Sequence, residues 1–133
     1  MEELVASEKL FEACLKLRRD GFNCLSCLTG TDRGDHLEVV YHLFSYARKE
    51  TRVLKAKISK ESPEIQSVSP IWPSADWMER ETYDLVGIKF TGHPNLKRIL
   101  NPDDWAGHPL RKDYKEPEEY QGMSCSREFP CDK

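Results

Sequence analysis

The sequence contains no apolar run approaching the roughly 18–20 residues that a bilayer-spanning helix needs. It has no excess of basic charge: the net charge is −3. That balance argues against general nucleic-acid binding, which rests on neutralising many phosphates with a basic face. Neither a P-loop nor a dinucleotide-binding glycine fingerprint occurs, so no nucleotide site is expected. The opening MEELVASEKLF carries acidic rather than basic residues and no long apolar stretch, unlike a secretory signal. The expectation from these absences is a cytoplasmic chain that meets a membrane only through partners.

Proline is missing from the first sixty-two residues. All eight prolines lie between Pro63 and Pro130, and all three tryptophans between Trp72 and Trp105. The first sixty residues therefore read as regular secondary structure, and the rest as short elements joined by shaped loops. The five cysteines are an odd number, so a complete disulfide framework is not expected and reduced thiols are the default. What is present suits one domain of 133 residues: 38% hydrophobic residues for a modest core, 32% charged residues for a densely charged surface.

Leu10, Phe11, Cys14, Leu15 and Leu17 recur at helical spacing and predict a helix from Ser7 to Asp20, capped by Ser7 and stopped by Gly21. A strand is predicted from Phe22 to Leu28, then a turn over Gly30 to Asp35. A central strand follows from Leu37 to Tyr46, apolar on both faces, and a half-buried one around Leu54, Ala56 and Ile58. Together these make an antiparallel meander whose face the first helix covers. Ser62-Pro63 reads as the start of a helical turn that ends near Ser69, with proline at the first helical position. A second helix is expected from Ser74 to Val86, capped by Ser74 and ended by Gly87, then a short strand over Ile88 to Phe90. The expected fold is α+β: a two-layer single domain over residues 1–113, its helices on one face of a mixed, mainly antiparallel sheet. Residues 114–133 are expected to form an extended C-terminal tail.

The chemistry-bearing residues concentrate between Trp77 and Tyr114. Asp76, Arg80 and Asp84 stand four apart on the second helix, so Arg80 could pair with carboxylates on either side. That pattern is either a solvated helix face or an ion-pair lattice that shapes a docking surface. His93-Pro94 and His108-Pro109 each follow a glycine, which makes them bent loop units. Two histidines with Asp104 do not show the tight ligand spacing of a zinc site. No nucleophile motif accompanies a His/Asp pair. Trp105, with Arg111 and Lys112 nearby, has the character of an interface anchor. Cys24-Leu25-Ser26-Cys27 has redox-motif spacing but falls on a strand, where residues three apart point to opposite faces and joint action needs a bulge. Small buried hydrophobes are the expectation there. Pairing Cys24 and Cys27 with Cys125 and Cys131 into a zinc site, as a free-standing thiol or metal protein, is a third reading.

The string Trp77-Met78-Glu79-Arg80-Glu81-Thr82-Tyr83-Asp84-Leu85-Val86-Gly87-Ile88-Lys89-Phe90 resembles the signature of the C subunit (30-kDa subunit) of respiratory complex I. The pattern continues in His93-Pro94, Arg98-Ile99-Leu100 and Asp104-Trp105-Ala106-Gly107-His108-Pro109-Leu110-Arg111-Lys112-Asp113-Tyr114, and earlier in Val39 to Leu43 and Ile71-Trp72-Pro73. The resemblance covers about residues 7–117, and the segment ahead of the first helix is shorter than in many members. It implies a non-catalytic structural subunit in the peripheral arm of a proton-translocating NADH:quinone oxidoreductase, on the cytoplasmic face of the cell membrane. It implies no catalytic, cofactor or metal site in this chain; FMN, iron–sulfur clusters and quinone belong to partner subunits. The partners it implies are the quinone-site large subunit, the terminal iron–sulfur cluster subunit and a ferredoxin-like subunit. Self-association is an expectation for the isolated chain. Carried over by position, the partner-facing residues are Glu79, Arg80, Glu81, Asp84, Gly87, His93, Arg98, Asp104, Trp105, His108, Pro109, Arg111, Lys112 and Asp113. Related subunits serve membrane-bound nickel–iron hydrogenases and ferredoxin-linked complexes, so the electron donor stays open. The cysteines at 24, 27, 125 and 131 are not part of the family pattern.

Overall fold

The computed structural model describes residues 2–125. A four-stranded sheet forms the base of the domain in the order β1-β4-β3-β2, from β1 (Glu2–Ala6), β2 (Cys24–Asp32), β3 (Leu37–Ser45) and β4 (Glu50–Ile58). β2, β3 and β4 make the expected antiparallel meander, and β1 joins β4 in parallel. Alternation decides the layers. Leu37, Val39, Tyr41 and Leu43 point to the inner face of β3, beside Leu54, Ala56 and Ile58 of β4, and all are buried. Helices α1 (Leu10–Arg19) and α2 (Ala75–Val86) cover that inner face, where Leu10 and Cys14 of α1 and Ala75 and Val86 of α2 enter the core. The fold is thus α+β, with a mixed, mainly antiparallel sheet.

Gly21 ends α1 as expected. Its φ is +104°, its N–H donates to Arg18 O, and the Phe22 N–H reaches back to Leu17 O at 3.0 Å, which closes the helix in a Schellman turn. The start differs from expectation: α1 begins at Leu10, and neither Ser7 nor any other side chain caps it. Ser74 does hold the N-cap position of α2 but makes no side-chain cap bond.

Three further elements depart from the sequence reading. β1 has no counterpart in the predicted elements. β2 runs on through Gly30 and Thr31 to Asp32, in place of the predicted turn, because those residues pair with Val39, Glu38 and Leu37. The predicted helical turn at Ser62-Pro63 is instead the approach to β5 (Glu64–Gln66), which pairs in parallel with β6 (Lys89–Thr91). Pro63 needs no N–H there, and its carbonyl accepts the Lys89 N–H at 2.8 Å. The segment after β5 is tied to the core by Trp72, whose indole N–H donates to Phe22 O at 3.1 Å.

Within the stretch expected to be an extended tail, β7 (Glu119–Tyr120) and β8 (Met123–Ser124) form a small hairpin. Tyr120 holds it in place: its ring packs against Trp105 at 5.1 Å, and its hydroxyl donates to Asp104. Cys131 lies outside the described residues.

Candidate docking site

The buried stripe of α2 carries two carboxylates, and each organises a different loop. Glu79 and Asp84 are both fully buried. Glu79 turns towards the segment after β5. Its carboxylate accepts the Ser67 hydroxyl at 2.6 Å and the Val68 N–H at 2.8 Å. Burial pushes the Glu79 carboxyl above its usual range, and the two hydrogen bonds only partly offset that. Tyr41 and Cys14 share this interior. The Tyr41 hydroxyl has no hydrogen-bond partner, and burial raises the Cys14 thiol to about 12.

Asp84 points the other way, into the loop after β6. It accepts backbone N–H groups from Ile99, Leu100 and Asn101 at 3.3, 2.8 and 2.8 Å. The Asn101 side-chain amide and Arg98 Nη1 add bonds at 3.0 and 3.1 Å. Burial alone drives this carboxyl up, but the donors from Asn101, Leu100 and Ile99 outweigh it and leave Asp84 below the ordinary aspartate range. A carboxylate with this many donors is the nucleus around which residues 98–101 take their shape.

The end of α2 is closed by a distant segment. The last four carbonyls of a helix lack partners within it. Here His108 Nδ1–H donates to Asp84 O at 3.0 Å, the Leu110 N–H to Leu85 O at 2.8 Å, and Arg111 Nε–H to Val86 O at 2.6 Å. A guanidinium at a helix C-terminus also suits the negative end of the helix dipole. Gly87 makes this approach feasible. Its φ is +84°, and a Cβ there would lie 2.6 Å from His108 Cδ2 and 2.8 Å from Arg111 Nη2. One residue on, the Lys112 N–H donates to Asp32 Oδ2 at 3.0 Å, and Lys60 Nζ stands 2.9 Å from Asp32 Oδ1. The Gly34 N–H is the main cause that holds the Asp32 carboxyl below its usual range.

Of the two readings for Asp76, Arg80 and Asp84, the ion-pair lattice does not form. Arg80 donates to the carbonyls of Lys97 and Arg98 and lies over the Trp77 ring at 5.5 Å. Asp76 instead meets His93, whose Nε2 is 2.8 Å from its Oδ1. The Asn95 N–H donates to His93 Nδ1, so the proton of this ring sits on Nε2. The two histidines and Asp104 are thus committed to three separate partners: Asp76, the end of α2, and Tyr120. No group of three His, Cys, Asp or Glu able to hold a metal occurs among the described residues.

The fourteen residues singled out from the sequence therefore separate into two sets. Glu79, Asp84, Gly87, His93, Arg98, His108 and Arg111 are engaged with the chain itself, and Arg80 braces the loop at 97–98. Glu81, Lys112 and Asp113 turn to solvent, and Asp104 is exposed beside the half-buried Trp105 and Pro109. Trp77 in the first turn of α2 and Leu110 beside its last turn are 66% and 59% exposed and add apolar surface. A cleft of about 370 Å³ is lined by His108, Arg111, Asp113, Tyr114 and Lys115, among others. Sequence reasoning missed Asp32, Ser67, Asn101 and Tyr120, which are ordinary turn and tail residues until their distant partners are known.

The match to the family model described as respiratory-chain NADH dehydrogenase, 30 Kd subunit, spans residues 4–120. The chain is 53% identical over 104 residues to the C subunit of NADH-quinone oxidoreductase from Chloroherpeton thalassium, covering 77% of this chain and 43% of that protein. It is 43% identical over 115 residues to the subunit of the same name from Moorella thermoacetica, covering 84% of this chain and 78% of that one. Among solved structures, a trypsin-resistant fragment of Nqo5 superposes with a TM-score of 0.68 at 31% identity, covering 71% of this chain and 81% of the fragment. A chain of the archaeal membrane-bound sulfane sulfur reductase superposes with a TM-score of 0.79 at 24% identity, covering 86% of this chain and 71% of that chain, and shares the fold. The chain thus spans 43% of the Chloroherpeton protein, and 52% of the subunit of the same name from Salinispora tropica, about half the length of each.

Proposed function

Because the chain belongs to the 30-kDa subunit family of respiratory-chain NADH dehydrogenase, we propose that it works as a structural subunit of the peripheral arm of an NADH:quinone oxidoreductase. In this reading it makes and breaks no bonds. It presents a shaped surface to the subunits that carry the terminal iron–sulfur cluster and the quinone site, and a ferredoxin-like subunit sits nearby. FMN, clusters and quinone reside in those partners, and the chain meets the membrane on its cytoplasmic face through them. No described helix is long and apolar enough to cross a membrane.

The observation that supports this most is how the segment from Asp104 to Tyr114 is held. Its inner groups are used up on α2 and Asp32, which leaves Lys112, Asp113 and Leu110 on the outside, while Glu81 and Trp77 are exposed on α2 itself. A surface held in advance loses little entropy when a partner docks. Tryptophan and arginine, paired here as Trp77 and Arg80, are favoured at such contacts.

The test is the isolated chain. It is expected to show no visible absorption, no stoichiometric metal by elemental analysis and no NADH oxidation. A chromophore, a bound metal at one per chain, or turnover of NADH overturns the structural reading.

A further inference from the structure

The Cys24-Leu25-Ser26-Cys27 motif has no part in the docking surface, yet the fold does something specific to it. Regular alternation would put residues three apart on opposite faces of β2. The ladder instead shifts between Leu25 and Cys27: Cys24 lies opposite Phe44, Leu25 opposite Leu43, and Cys27 opposite His42. Ser26 is the extra residue of a β-bulge. Cys24 and Cys27 therefore share one face, the outer face that also carries Val40, His42 and Phe44, while both helices cover the inner one.

The bulge also shortens the distance between them. Three steps of β2 span the two steps from His42 to Phe44 on β3, about 6.6 Å at the usual strand rise. That separation is at the upper end of the Cα spacings, about 4.4–6.8 Å, that a disulfide bridges. Without the bulge the same residues are about 10 Å apart and face away from each other. β2 is an edge strand, so only β3 restrains its adjustment within the sheet. Cys27 is exposed, Cys24 is half-buried and free, and Cys14 is sealed in the core.

We infer that Cys24 and Cys27 form a thiol-modification site, an adjacent dithiol that a peroxide oxidises reversibly to an intrachain disulfide. The exposed Cys27 thiolate attacks a peroxide oxygen and the O–O bond breaks. This leaves a sulfenic acid on Cys27, while the departing hydroxide takes up a proton as water. The Cys24 thiolate then attacks the Cys27 sulfur, the S–S bond forms, and the sulfenic oxygen leaves as a second water. Two thiols are oxidised by two electrons, and one hydrogen peroxide is reduced to two waters.

Trypsin releases both cysteines in a single peptide, Asp20 to Arg33, which makes the test direct. The full chain is treated with stoichiometric hydrogen peroxide, remaining thiols are blocked with N-ethylmaleimide, and the digest is weighed. The expected result is a peptide lighter by about 2 Da, the two lost hydrogens, that takes no maleimide until dithiothreitol restores both thiols. In C24S, which keeps the bulge, the Cys27 sulfenic acid has no neighbour to resolve it and accumulates as a dimedone adduct that the wild type does not build up. A peptide that keeps two alkylatable thiols overturns the inference. So does over-oxidised Cys27 beside an alkylatable Cys24, a disulfide between chains, or equal dimedone labelling of wild type and C24S.

Discussion

Thr82 of α2 stands so close over Gly30 of β2 that a Cβ on the glycine would lie 2.5 Å from the threonine Cγ2. No real pair of carbons sits there, so helix and sheet meet here too tightly for a side chain at residue 30. Gly30→Ala is expected to destabilise the chain by roughly 1–3 kcal/mol, the usual cost of overpacking a core. Thr82→Ser removes the obstructing methyl and keeps the hydroxyl that donates to Met78 O. The cost of Gly30→Ala should therefore be smaller in the Thr82→Ser background. Urea unfolding of the four proteins reads this coupling, and strict additivity contradicts it.

At the other end of α2, Gly87→Ala meets two obstacles at once. The left-handed backbone costs a non-glycine residue about 1–2 kcal/mol, and the new methyl collides with the His108 ring. A loss of about 2 kcal/mol or more is expected. Faster hydrogen exchange at the Leu110 amide, which is bonded to Leu85 O, should accompany it. Unchanged exchange there would mean that the segment closing α2 tolerates a side chain at 87.

Asp84 predicts both a cost and a pH dependence. Asp84→Asn turns an amide donor towards N–H groups that need an acceptor and takes the carboxylate from Arg98, which keeps the Gly107 carbonyl, a loss of roughly 3 kcal/mol. The folded carboxyl lies below the ordinary aspartate value of 3.8. Its contribution to stability is therefore complete above 3.8 and is lost as the pH falls through the lower folded value. Urea midpoints measured from neutral to acid pH should fall less steeply in the variant. Some slope remains, because the Asp32 carboxyl is depressed in the same direction.

Glu79 works with the opposite sign. Its folded carboxyl lies above the ordinary value of 4.5. Below 4.5 the folded and unfolded forms are both protonated and nothing is lost. As the pH rises from 4.5 through the raised folded value, the buried group must ionise and stability falls. In Glu79→Gln the amide can donate to Ser67 and accept from Val68, so the contacts persist while the titration is removed. The difference between wild-type and variant midpoints should grow across that window, and a flat difference contradicts the burial argument.

Where contacts are local, the sequence already shows them. The helical stripe of α1, its glycine stop, the alternation of β3 and β4, and the span of α2 all follow from periods of 3.6 and 2. β1 is hidden in the sequence because its pairing with β4 joins residues about fifty apart and the partner of its Glu2 is the distant Lys55. Ser62-Pro63 suits a helix start and a strand entry equally, and the partner strand β6 decides between them. The spacing of Asp76, Arg80 and Asp84 shows which side chains can reach one another, not which distant groups compete for them. The carbonyls of Lys97 and Arg98 take Arg80, and the amides of 99–101 take Asp84. In the same way, the bulge that unites Cys24 and Cys27 is a property of the ladder with β3 rather than of the four residues.

The division of the candidate residues into an inward and an outward set tests the central claim most directly. Tagged wild-type chain is purified from mildly solubilised membranes of its source cell beside a Glu81→Lys, Lys112→Glu double variant, whose changes lie on exposed side chains. The account predicts that wild type brings down iron–sulfur, quinone-site and flavin-bearing subunits with NADH:quinone reductase activity. It predicts that the variant, with an unchanged urea midpoint, brings down much less. Recovery of the wild-type chain without companions, or equal recovery by both proteins, would contradict it.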